Sequence, residues 1–89
     1  MTDDHDQYPV PILPPDDDRR VQARIIYDYL CKYSDEHGWP PSLRQIAKGC
    51  YMSRSNVVRY LDMLEAWGFI EREPNLSRAI RIMNRNHRL

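Results

Sequence analysis

The side chains best suited to recognition chemistry lie in one stretch, Ser53 to Glu71, reading SRSNVVRYLDMLEAWGFIE. With apolar residues returning at Val57, Tyr60, Leu61, Leu64 and Trp67, the spacing of one buried helix stripe, the outer face is left to Arg54, Ser55, Asn56, Val58, Arg59 and Asp62. Arg, Asn and Ser make directional hydrogen bonds to phosphate oxygens and to base edges. All but Asp62 fall within about two turns of the helix start, where free amides and the helix dipole also favour phosphate. A polar outer face is by itself the ordinary solvated side of a helix, so its setting decides. Catalysis is not indicated. The chain has no Gly-rich phosphate loop, no paired carboxylates in an expected pocket and no Cys/His arrangement with an orienting group.

The elements around this stretch follow from the same pattern. Ser53 is the expected N-cap of a recognition helix over 53–67, and Gly68 the expected C′ residue, since it takes a left-handed conformation without Cβ strain. Ahead of it, Ser42 caps a shorter helix with Gln45 at N3, a capping-box pattern. Leu43, Ile46, Ala47 and Cys50 form that helix's inner face, and Tyr51-Met52 make the turn into the recognition helix. Two helices joined by a tight turn match a helix-turn-helix unit. Earlier still, a long helix is expected from near Asp16, its aspartates favourably placed at the positive end. Its buried stripe is read as Ile26, Tyr29, Leu30, Tyr33 and His37, with Val21 and Ile25 partly covered. Gly38 ends it, and Trp39-Pro40-Pro41 cannot continue it. The aromatic residues here recur at helical spacing and are read as core and rim packing, not as a base-stacking platform.

Past Gly68 the period changes. Phe69 to Glu73 and Ala79 to Met83 are short alternating runs separated by Pro74-Asn75-Leu76-Ser77-Arg78, the pattern of a hairpin. Arg78 and Arg81 lie on its tip and second strand, and Arg85 and Arg88 follow. The expected fold is therefore mainly α (α+β): a three-helix winged helix-turn-helix over 16–83 with a C-terminal two-stranded β-hairpin wing. Residues 84–89 form a basic tail. The candidate contacts to double-stranded DNA are Ser42, Arg44, Ser53, Arg54, Ser55, Asn56, Val58, Arg59, Arg78 and Arg81.

Eighty-nine residues make one domain at most, and their formal charge of zero conceals an asymmetry. Residues 1–18 hold 6 Asp and no Lys or Arg, a balance of −6. The other 7 acidic side chains (13 less those 6) share residues 19–89 with all 13 basic ones, a balance of +6. A basic domain behind an acidic segment points to a polyanion partner and a tail that modulates it. Residues 1–15 carry four of the seven prolines and read as a disordered leader. The apolar cluster Tyr8, Val10, Ile12 and Leu13 offers the alternative that this leader docks on the domain or on a second copy. Cys31 and Cys50 are expected as reduced thiols in a cytoplasmic protein, since no signal peptide or long apolar run is present. No histidine joins them at metal-ligand spacing, and no metal, cofactor, small-molecule ligand or membrane is implied.

From about Val21 to Ile82 the chain resembles the N-terminal DNA-binding domain of LexA-type repressors. The residues that carry the resemblance are Gly38-Trp39-Pro40-Pro41-Ser42 with Ile46-Ala47, then Ser53, Leu61, Leu64 and Gly68-Phe69-Ile70-Glu71, then Ser77-Arg78-Ala79-Ile80-Arg81. The first and last groups are fairly specific; the Leu-x-x-Leu and Gly-x-Ile part is shared by many winged helices. The resemblance implies that Ser53, Ser55, Asn56, Val58 and Arg59 face the major groove of an operator and that the wing contacts backbone. Val58-Arg59 replaces the family's polar pair, so the family's operator sequence is not carried over. The family also has a second domain that dimerises and cleaves itself through a Ser/Lys dyad. The serines and the two lysines of this chain, Lys32 and Lys48, all have places in the winged helix, so self-cleavage is not expected of these residues.

The leading expectation is a sequence-preferring DNA-binding protein, a repressor-like transcriptional regulator. The alternatives are a winged-helix adaptor for protein–protein contact, and a plasmid or phage replication or maintenance factor. Because one winged helix buries limited area on DNA, two half-sites are expected, read by a homodimer or by copies paired on the DNA.

Overall fold

The computed structural model describes residues 18–73 and 80–85. The expected leader over 1–15, the hairpin tip with Arg78, and Arg88 lie outside the described residues. Three helices are followed by a two-stranded antiparallel hairpin: α1 (Asp18–His37), α2 (Leu43–Gly49), α3 (Arg54–Ala66), β1 (Ile70–Arg72) and β2 (Ile80–Ile82). This is the winged helix-turn-helix expected from the sequence.

Local chemistry sets the helix ends. Ser42 Oγ accepts from the Gln45 amide at 3.2 Å while Gln45 Oε1 accepts from the Ser42 amide at 2.8 Å, a complete capping box. Ser53 Oγ accepts from the Asn56 amide at 3.1 Å and so starts α3. At the other end of α3, Gly68 takes φ +88 and donates to Glu65 O at 3.1 Å, while Phe69 donates to Leu64 O at 2.9 Å. That pair of bonds is a Schellman motif, and it turns the chain into β1.

The core joins all three helices to the start of the hairpin. Ala23, Ile26, Tyr27 and Leu30 of α1 pack with Ile46 of α2, with Val57, Leu61 and Leu64 of α3, and with Phe69 and Ile70. The expected phase of α3 therefore holds, with Tyr60 and Trp67 at its rim. The expected stripe of α1 needs correction. Ile26 and Leu30 are buried and Tyr29 and Tyr33 half-buried, but His37 is exposed, while Ala23 and Tyr27 are buried in addition. Length explains the first difference: 20 residues span about 30 Å, whereas the 7 of α2 and 13 of α3 span about 10 and 20 Å, so the last turn of α1 overhangs. His37 there stacks only in an aromatic row, its ring 4.1 Å from that of Tyr33 and 5.9 Å from that of Trp39. Tyr27 is buried because its hydroxyl has a partner, donating to Met83 O at 2.9 Å, and because its ring meets Phe69 edge-on at 5.4 Å. Burial, with Cys31 nearby, pushes the phenol's pKa up. Gly49 has a packing role. A Cβ there would lie 2.4 Å from the ring of Tyr29, so α1 and α2 meet closely at that point.

Residues 83–85, past β2, fold back on the domain. Met83 N donates to Phe69 O at 2.8 Å, and Asn84, at φ +55, donates through Nδ2 to Gly68 O at 2.6 Å. Arg85 reaches α1, pairing with Asp35 at 2.9 Å and donating to Cys31 O at 3.4 Å. The start of the expected basic tail thus serves as a clasp: Arg85 spends its charge inside the domain.

Candidate nucleic-acid interface

With Val57, Leu61 and Leu64 facing inward, the helical period turns Arg54, Ser55, Asn56, Val58, Arg59 and Asp62 outward, and all six are exposed. They do not form a uniform surface. Arg54 and Arg59 have no ion-pair partner among the described residues, and the segment from Ser53 to Arg59 contains no acid. Farther along, the guanidinium of Arg72 on β1 is hydrogen-bonded to the carboxylates of both Asp62 and Glu65, meeting Glu65 at 2.9 Å through Nη2 and at 3.0 Å through Nε. Partial burial of Arg72 opposes its charge, but these two carboxylates outweigh it and raise its pKa. The two acids nearest the basic half are in this way engaged by the wing.

The remaining candidates are distributed around this face. Ser42 is half-buried and its oxygen is occupied by the cap, so its role in the structure is to start α2. Arg44 stands exposed in the first turn of α2, without an ion-pair partner among the described residues. Arg81 on β2 is directly across the hairpin from Glu71 and pairs with it at 3.4 Å while staying 70% exposed. Arg78 lies outside the described residues. Sequence reasoning missed Arg72 altogether. Its partners lie 7 and 10 positions earlier, on the other side of a helix end and a turn, so no single helical or strand period runs through the pairing. It also treated Tyr51 as a mere connector. Cys31 and Cys50 are free thiols, and burial pushes the Cys50 pKa up. No group of three or more metal-ligating side chains occurs among the described residues, and no helix among them is long and apolar enough to cross a membrane.

A capped short helix, a tight turn, a second helix with a cationic polar tip and a hairpin behind it define a winged helix-turn-helix of the DNA-binding type. Residues 19–79 match the LexA DNA binding domain, and the chain belongs to that family. It is 39% identical over 69 residues to the LexA repressor of Roseiflexus sp. (strain RS-1), covering 76% of this chain and 32% of that protein. Against the LexA repressor of Moorella thermoacetica the figures are 40% over 67 residues, 74% and 33%. Against that of Herpetosiphon aurantiacus they are 42% over 60 residues, 66% and 28%. The chain thus corresponds to between 28% and 33% of the length of these three relatives.

Proposed function

We propose that this chain is a sequence-preferring double-stranded DNA-binding protein acting in transcriptional regulation, repressor-like as its relatives' names imply, in the cytoplasm. The observation that carries the reading is the exposed, acid-free first half of α3, with Arg54 and Arg59 unpaired among the described residues, in a domain of the LexA DNA-binding family. In the proposed complex α3 enters the major groove, where Asn56 and Arg59 read base edges and Val58 makes apolar contact. Ser53, Arg54 and Ser55 hold phosphates at the start of α3, with Ser42 and Arg44 at the start of α2, the two capping hydroxyls donating their protons to phosphate while their oxygens go on accepting in the caps. The wing follows the backbone through Arg78 and Arg81. Arg81 then exchanges Glu71 for phosphate, a small cost for an exposed pair.

Two copies are proposed to pair on DNA, since a single module of this size reads few base pairs. Selection of bound sequences from random duplex DNA tests the reading. The expected result is an enriched motif with two half-sites related by a two-fold axis. Recovery of unenriched sequence, or no binding to duplex, would overturn it.

A further inference from the structure

The molecule ends two of its helices with the same motif and uses different residues at the decisive position. At the end of α3 the left-handed C′ residue is Gly68. At the end of α2, Tyr51 donates to Lys48 O at 3.4 Å and Met52 to Ala47 O at 2.9 Å, the same pair of Schellman bonds, with Tyr51 at C′ and φ +56. Glycine takes this conformation freely, whereas a bulky residue there carries strain. The side chain obtains nothing from the fold in return: Tyr51 is 95% exposed, and no hydrogen bond or ring contact holds it among the described residues. Its neighbours behave oppositely, since Cys50 and Met52 both pack against the core. A strained backbone thus holds one aromatic ring in solvent, two residues ahead of the Ser53 cap.

We propose that Tyr51 is a further DNA-contact residue, its hydroxyl donating to a phosphate oxygen and its ring lying against deoxyribose on the strand flanking the groove entered by α3. The inference rests on the DNA-binding reading. In a helix-turn-helix the second helix places its N-terminal end at the base edges while the first crosses the backbone, so the turn between them lies beside the groove wall. Tyrosine is a regular donor to phosphate, and its exposed ring has an apolar face for sugar. Because the phenol is neutral, its contact releases no counterion and adds affinity equally at every salt concentration.

The test uses the full chain, a fluorescently labelled mixed-sequence duplex and thermal melting. Tyr51→Gly is expected to melt about 4 °C or more above the parent, because the strain is relieved. It should also bind the duplex about tenfold more weakly, with an unchanged salt slope. Tyr51→Phe, which keeps the ring, should melt like the parent and lose several-fold in affinity. Parental affinity in the Gly variant, or a melting temperature below the parent's, would overturn the proposal; so would parental affinity in the Phe variant, which removes the phosphate bond. A parent that does not bind duplex at all defeats the DNA-binding reading itself, and the Tyr51 contact with it. A binding parent isolates the contribution of Tyr51.

Discussion

The two halves of the outer face of α3 carry opposite charges and are treated in opposite ways. From Arg54 to Arg59 the cations have no ion-pair partner among the described residues and no carboxylate lies between them. From Asp62 to Glu65 both carboxylates are bound to Arg72 of β1. The first half leaves its charge exposed, and the second pairs its charge with Arg72 of the wing. Electrostatically this is one design. Asp62 left alone would oppose phosphate close to Arg59, and Arg72 removes that opposition while tying the hairpin to the helix it flanks. Mere solubility would not require such a division.

Several substitutions separate the two halves or abolish both. The largest effect is expected from Leu64→Ala, which opens a cavity under the second half and costs about 2–5 kcal/mol of stability. In a domain this small that unfolds much of the population, and denaturant titration measures it. Arg59→Ala should leave the melting temperature within a degree or so of the parent, as exposed substitutions do. It should lose about 1–3 kcal/mol of DNA affinity and relax the selected motif at one position. A loss shared equally by all sequences would make Arg59 a phosphate contact and leave Asn56 as the reader. Ser53→Ala removes the cap at the start of the first half and should cost about 1 kcal/mol of stability, seen as a lower melting temperature.

Arg72→Ala sharpens the contrast from the other side. The pairs are partly exposed, so stability should fall by no more than about 1 kcal/mol. Binding should weaken more than that, because two carboxylates are freed beside the phosphate path. The double variant Arg72→Ala with Asp62→Asn should recover part of the affinity in a fluorescence titration, without any cation being restored. Equal affinities for the single and double variants would show that Arg72 only anchors the wing.

How much of this is legible before a fold exists depends on the range of the interactions. The cap at Ser53, the box at Ser42 and Gln45, and the stop at Gly68 act within five residues, and each stands where the sequence places it. The phase of α3 is equally plain, because Val57, Leu61 and Leu64 repeat on a short helix covered along its length. The phase of α1 is less so. An overhanging end leaves His37 outside, and the burial of Tyr27 depends on the backbone at Met83, 56 residues away, which accepts its hydroxyl, and on the ring of Phe69. The site divides in the same manner. The outward set on α3 follows from helical period, whereas the pairing of Arg72 across two elements and the left-handed Tyr51 depend on tertiary geometry. Arg85 reads as one more basic tail residue until Asp35, 50 positions earlier, claims its charge.

The most direct test of this division is a titration of the isotope-labelled chain with a duplex of the selected motif, following every backbone amide by nuclear magnetic resonance. The largest shift changes are expected from Ser53 to Arg59, with Tyr51 among them. Asp62, Glu65 and Arg72 should move little, since their mutual contacts persist in the complex. Shifts concentrated on Asp62, Glu65 and Arg72, with the first half of α3 unmoved, would contradict the account.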